Sequence, residues 1–77
     1  MNKTKIGEMV ETIPIFSGEL RESVHGLYNI VFPNMLMAAR FVDHLGIGDK
    51  AKIHKEDPVR SSGWLNVPLV IQVDARR

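Results

Sequence analysis

The chain contains no cysteine. Thiol catalysis, disulfide bonds and every cysteine-ligated zinc or iron–sulfur site are therefore excluded. A chain of 77 residues buries only about 60% of the surface that its unfolded form exposes. Proteins of this size often gain stability from a crosslink or a partner. Since no crosslink is available, association with a partner is one remaining source of stability.

Long apolar runs are also missing. The longest nearly apolar run covers residues 30–39 and is broken by Pro33 and Asn34. It is far shorter than the ~20 residues that a membrane-spanning helix needs. The first eight residues, MNKTKIGE, have a basic start but no apolar stretch of the kind that signal peptides carry. We therefore expect a soluble, cytoplasmic protein of one domain, residues 1–77, and a cysteine-free chain is compatible with that compartment.

A strong excess of one charge is absent. Ten basic and nine acidic residues leave a formal net charge of +1. Domains that bind nucleic acid usually carry a larger basic excess, although a local patch would suffice. Such a small net charge also gives little repulsion between copies of the chain, which makes self-association easy.

The N-terminal half predicts a strand and then a helix. Residues 9–16, MVETIPIF, are rich in β-branched side chains, which favours a strand that Pro14 places at a sheet edge or ends. A helical turn over residues 3–9 stays open. Ser17 is typical of a helix N-cap, and a helix is predicted over residues 18–32 although Gly26 costs it about 1 kcal/mol. Its apolar stripe consists of Leu20, Val24, Leu27, Tyr28 and Val31.

A second helix is predicted over residues 34–46. Pro33 ends the first helix, and Pro33 or Asn34 starts the second. Gly46 and Gly48 supply its C-terminal stop. Its apolar residues repeat at helical spacing: Met35, Ala38, Val42 and Leu45.

The C-terminal part predicts two strands that pair as an antiparallel hairpin. Ala51 and Ile53 alternate with polar residues, and so do the apolar residues of 69–74. The N-terminal strand could complete the sheet. The expected fold class is α+β, with two consecutive helices (about 18–32 and 34–46) packed on a small antiparallel sheet in the order β-α-α-β-β.

A basic strand face is one candidate binding site. Three of its residues alternate along one strand, and an arginine and the only tryptophan follow in the loop: Lys50, Lys52, His54, Arg60 and Trp64. Side chains on one strand face lie about 6.6–6.8 Å apart, which is close to the spacing of phosphates along a nucleic-acid strand. The alternative is a solvent-facing strand surface whose lysines protect the edge of a sheet from aggregation. Glu56 and Asp57 reduce the local positive charge, which favours this second interpretation.

An apolar helix segment is the other candidate. Residues 33–41, PNMLMAARF, contain no charge before Arg40. Methionine side chains adapt to varied partners, and alanines let another backbone approach. The segment is either the core helix or a surface for a homodimer or another partner, and both can hold in so small a protein. The candidate contact residues are Met35, Met37 and Phe41.

The sequence gives little support for catalysis, metal binding or cofactor binding. His25, His44 and His54 show no metal-ligand spacing, and the serines fit caps, a helix surface and a turn. Gly46-Ile47-Gly48 follows a helix, whereas a phosphate-binding loop follows a strand. We therefore expect no enzyme, no metal and no cofactor.

The expected function is binding of another macromolecule. Small chains without a cofactor signature are commonly protein-binding regulators, inhibitors or accessory subunits, and phage or mobile-element inhibitors such as anti-CRISPR proteins belong to the same size class. That comparison is an analogy of size and type and rests on no residue. A nucleic-acid-binding module that uses Lys50, Lys52, His54 and Arg60 is the first alternative, and an accessory subunit of a larger complex is the second.

Overall fold

A computed structural model describes residues 1–56 and 68–76, without the side chains of residues 55 and 56. The elements in chain order are α1 (Lys3–Thr12), a 3-10 helix (Ile13–Phe16), β1 (Glu19–Val24), β2 (Leu27–Phe32), α2 (Met35–Leu45), β3 (Ala51–Glu56) and β4 (Leu69–Asp74). The strands form one antiparallel sheet in the spatial order β1-β2-β4-β3. The α+β class stands, but the predicted order β-α-α-β-β is wrong, because the order is α-β-β-α-β-β.

The predicted N-terminal strand is wrong, because residues 3–16 are helical. The Asn2 side chain caps α1 by accepting a hydrogen bond from the Lys5 amide at 2.8 Å. Met9 and Ile13 lie four residues apart and are both buried, which is the spacing of one helix face. Pro14 is tolerated because it stands in the first turn of the 3-10 helix, where its missing N–H has no helical partner.

The predicted helix over residues 18–32 is also wrong, because this segment forms the β1–β2 hairpin. Val24 pairs with Leu27, so the loop has two residues, His25 and Gly26. Both have positive φ angles, 52° and 81°, as a type I′ turn requires. The apolar stripe that suggested a helix is therefore divided between two strands. Ser17 is not an N-cap, since its φ of 61° ends the 3-10 helix.

The second helix and the C-terminal hairpin are confirmed. The Asn34 side chain accepts a hydrogen bond from the Met37 amide at 2.9 Å and begins α2. Gly46, with a φ of 65°, ends it. β3 and β4 pair antiparallel, as the alternation of their residues predicts. Within the described part of the chain, neither helix has the length and apolarity that a membrane crossing demands.

The core lies between the helices and one face of the sheet. β2 and β4 contribute alternate residues, and the helices contribute residues from their apolar faces. At its centre, the Phe41 ring lies 5.0 Å from the Phe32 ring and 6.4 Å from the Phe16 ring, centroid to centroid. Such tilted and edge-to-face contacts stabilise an aromatic cluster beyond area burial alone. The fully buried large side chains are Met9, Ile30, Phe32, Phe41, Ile47 and Val73.

The opposite face of the sheet carries a hydrogen-bonded polar row. The Asn29 amide group donates to the Glu22 carboxylate at 2.8 Å, and the Gln72 amide group donates to the Asn29 oxygen at 3.2 Å. Asn29 is only 9% exposed, so both of its polar atoms need these partners. The row joins β1, β2 and β4 across the sheet.

We predict that Asn29→Asp lowers the free energy of unfolding by about 1–2 kcal/mol near neutral pH, because the donor to Glu22 is replaced by a second carboxylate. Urea denaturation measures the loss. Adding Glu22→Gln should restore stability, because glutamine can donate to the new aspartate. Equal stability of the single variant and the wild type near neutral pH would show that the row contributes little.

Candidate protein-binding groove

An apolar groove of about 830 Å³ runs between α2 and the edge strand β3. α2 forms one wall, β3 forms the other, and Ile71 of β4 lies between them. The loop from Gly46 to Asp49 closes one end. The lining residues are Met35, Ala38, Ala39, Arg40, Val42, Asp43, Gly46, Gly48, Asp49, Ala51, Lys52, Ile53 and Ile71.

Small side chains open the groove. Ala38 is buried and Ala39 is exposed, and neither fills the space between the helix and the strand. Ala51 stands on the facing wall and is half-buried. Leu45, the last residue of α2, and Ile47, two residues further on, are almost completely buried. They anchor the end of α2 to the core. The groove is therefore a recess in a packed surface, since its floor rests on the hydrophobic core.

Large apolar side chains are exposed around the groove. Met35 is 48% exposed at the start of α2, and Ile53 is 47% exposed on β3. Leu36, next to Met35 on the helix, is 56% exposed. Scattered single apolar residues on a surface are ordinary, but a recess lined by several of them is typical of a ligand or partner site. The arrangement can bind an apolar segment of another molecule.

The charged residues that line the groove balance one another, with Arg40 and Lys52 against Asp43 and Asp49. Lys50, beside the groove, lies 3.4 Å from the Asp49 carboxylate, and its side chain is only 24% exposed. Arg40 and Lys52 are exposed and form no ion pair in the described part of the chain. Asp43 is the opposing charge on the helix. Lys52 pairs with Gln72, so its side chain lies on the opposite face of the sheet from the groove. Because no described residue forms an ion pair with Lys52, an acidic group is favoured over a basic one beside this edge.

The predicted basic strand face is only partly assembled by the structure. Lys52 and His54 are exposed on β3, whereas Lys50 precedes the strand and lies next to Asp49. A bulge between Ile53 and Lys55 interrupts the two-residue spacing at His54. Arg60 and Trp64 lie outside the described residues.

A smaller concavity of about 180 Å³ occupies the other face of the sheet. Its lining contains Arg21 and His54, the extra residues of two bulges, one in each edge strand. Bulges redirect side chains, which explains how two edge residues come to one concavity. Glu22 shares the lining, and its carboxylate opposes the two basic groups. No aromatic side chain in the described part of the sheet lines this concavity, so it offers no surface on which a base could stack.

The predicted partner helix is divided between the core and the surface. Met35 is exposed and lines the groove, and Met37 is half-buried against the core. Phe41 is fully buried, so it supports the helix from inside and offers no contact to a partner. The sequence analysis considered Ala39 only as a small residue that lets another backbone approach, and it did not consider Ile53 for binding. Ile53 alternates correctly for a core-facing strand residue, and the lysines beside it are the sequence signal that its strand lies at a sheet edge.

The described residues contain neither a group of possible metal ligands nor an unpartnered buried polar side-chain atom. Within residues 1–56 and 68–76, no three histidine or acidic side chains are grouped as metal ligands would be. The buried polar side-chain atoms of this part all have hydrogen-bond partners. In comparisons with known proteins, no protein family, no curated protein and no solved structure matches this chain.

Proposed function

We propose that this protein acts without catalysis, as a regulator or inhibitor that binds another protein through the groove between α2 and β3. The supporting observation is the groove itself, an apolar recess of about 830 Å³ bordered by the exposed side chains of Met35 and Ile53. Interfaces between proteins are centred on apolar recesses and anchors of this kind. Cytoplasmic location stays a prediction from the cysteine-free composition.

Nucleic-acid binding, the first alternative, has weaker support. Of its four predicted basic residues, Lys50 lies beside Asp49, and Arg60 lies outside the described residues. The remaining pair, Lys52 and His54, gives at most two phosphate contacts, and each contact adds only about one unit to the salt dependence of binding. The formal net charge of +1 adds little attraction for the phosphates of a nucleic acid.

The proposal predicts that Ala39→Glu removes the protein partner while leaving the fold intact. Ala39 is exposed and lines the groove, so a glutamate there fills the recess with a longer, charged side chain. Glutamate is a good helix former and should not destabilise α2. The matched control is Ile15→Glu, because Ile15 is 71% exposed and lies outside the groove lining.

The measurement is affinity capture from native cells with quantitative mass spectrometry, on the wild type and both variants. We expect at least one protein to be captured by the wild type and by Ile15→Glu but not by Ala39→Glu. Its direct binding to the purified wild type is then measured by calorimetry. Identical captured proteins for all three chains would contradict the proposal. Capture that depends on nucleic acid and weakens steeply with salt would favour the nucleic-acid alternative.

A further inference from the structure

The wall of the groove that β3 forms is also an edge of the sheet. In the spatial order β1-β2-β4-β3, β3 pairs with β4 on one side, and no described strand pairs with its other side. An edge strand offers backbone N–H and C=O groups to another extended segment. β3 therefore places backbone groups that no described strand engages beside an apolar recess.

The register shows which residues offer these groups. The Asp74 amide donates to the Lys50 carbonyl at 2.9 Å, so the Lys50 carbonyl faces β4, while the Lys50 amide donates to the Ile47 carbonyl. Hydrogen bonding alternates along an antiparallel ladder, so Lys52 also faces β4, whereas the backbone groups of Ala51 and Ile53 point away from the sheet. The bulge begins only after Ile53 and leaves this stretch regular.

The same two residues line the groove with their side chains. Ala51 and Ile53 both belong to its lining, on the face of the sheet that the helices cover. A strand that paired with β3 would place the residues opposite Ala51 and Ile53 over the groove, because paired residues share a face. Its intervening residue would stand beside Lys52 on the other face.

We propose that the groove receives its partner by antiparallel strand addition to β3, and that the partner segment is extended and alternates apolar and acidic residues. This inference rests on the proposed function. The apolar residues enter the recess beside Ile53, and the acidic residue meets Lys52, which has no ion pair in the described part of the chain. Backbone hydrogen bonds give such complexes affinity, and alternate side chains give them specificity.

A second copy of this chain is a poorer occupant of the same edge. Suppose that two copies pair their β3 strands in antiparallel orientation. The outward-facing backbone groups of both Ala51 and Ile53 then form hydrogen bonds only when Ala51 of one copy stands opposite Ile53 of the other. That register places the two Lys52 side chains directly opposite each other. Like charges in this position are destabilising, so the edge favours a different, acidic partner.

The test uses a capped eight-residue peptide of alternating valine and glutamate, titrated into the full chain labelled for NMR. Strand addition predicts that the amide resonances of Ala51 and Ile53 shift and that their hydrogen exchange slows. A peptide with lysine in place of glutamate should bind several-fold more weakly, and Lys52→Glu should reverse that preference. A peptide of the same composition at helical spacing is the control for groove binding without a strand.

Backbone methylation separates strand addition from simple apolar contact. N-methylation of the valines removes the N–H groups that face β3 and should abolish binding. N-methylation of the glutamates removes N–H groups that point away from β3 and should leave the affinity within about twofold.

The possible failures are distinguishable. Binding of the helical-spacing peptide alone would overturn strand addition and leave protein binding by the groove intact. Absence of any shift at groove residues with either peptide would overturn strand addition, while the capture experiment with Ala39→Glu decides the proposed function separately. Sedimentation of the free protein shows whether it forms a dimer. A dimer in which the amides of Ala51 and Ile53 are protected from hydrogen exchange would show that a second copy occupies the edge. That result would also overturn the inference.

Discussion

Replacing Phe41 by alanine is expected to lower the free energy of unfolding by about 3–5 kcal/mol. Phe41 is fully buried, and its ring contacts those of Phe16 and Phe32. Its removal loses both the burial of a large side chain and the packing of a cluster that joins α2 to the sheet. A domain of this length is stabilised by roughly 4–12 kcal/mol in all, so the variant should be close to unfolding at ambient temperature.

Chemical denaturation followed by circular dichroism measures this effect. The matched control is Leu36→Ala on the same helix, because Leu36 is 56% exposed. The control should change the free energy of unfolding by no more than about 0.5 kcal/mol. A loss below about 1 kcal/mol for Phe41→Ala would contradict the core position of this ring and return Phe41 to the candidates for direct partner contact.

Replacing Gly18 by alanine is expected to lower the free energy of unfolding by about 2–3 kcal/mol. An added Cβ would lie 2.7 Å from a ring carbon of Phe32 and 3.0 Å from the carbonyl oxygen of Ile13. The Gly18 amide also donates to that carbonyl at 2.9 Å, so the backbone has little freedom to move away. The methyl group therefore forces the 3-10 helix and β2 apart.

The same substitution at Gly7 is the matched control. Gly7 lies within α1, and an added Cβ there meets nothing within 4 Å. Alanine should stabilise the helix by about 0.5–1 kcal/mol, because glycine loses more backbone entropy on folding. The midpoint temperature of thermal unfolding should therefore fall for Gly18→Ala and rise for Gly7→Ala. A stabilised Gly18→Ala variant would show that the close contact with Phe32 does not exist in solution.

The candidate site was foreseen only in part from the sequence. The alternation around β3 correctly predicts that Ala51 and Ile53 face the interior side of the sheet. The composition of α2 draws attention to Met35, which lines the groove, while its role in binding stays a prediction. What could not be foreseen is that these two segments border one recess. That proximity depends on the strand order, since β4 lies between β2 and β3 and leaves β3 at the edge.

The errors in the N-terminal half have a common physical cause. Between residues 18 and 32, apolar residues occur at a spacing that fits a helix, while the β-branched residues Ile30 and Val31 and the glycine at position 26 fit a hairpin. Local periodicity cannot choose between the two. Tertiary packing determines that the hairpin forms, because Ile30 and Phe32 are completely buried as alternate residues of a central strand.

The sequence by itself determined the features that depend on near neighbours along the chain. The Asn34 cap, the stop at Gly46, the alternation of β3 and β4 and the absence of thiol chemistry are of this kind. The tertiary structure alone decided which strands are central, that Phe41 is internal while Met35 and Ile53 are exposed, and that the edge strand of the described sheet adjoins an apolar groove. Those features depend on contacts between residues far apart in the sequence, whose free energies no local pattern contains.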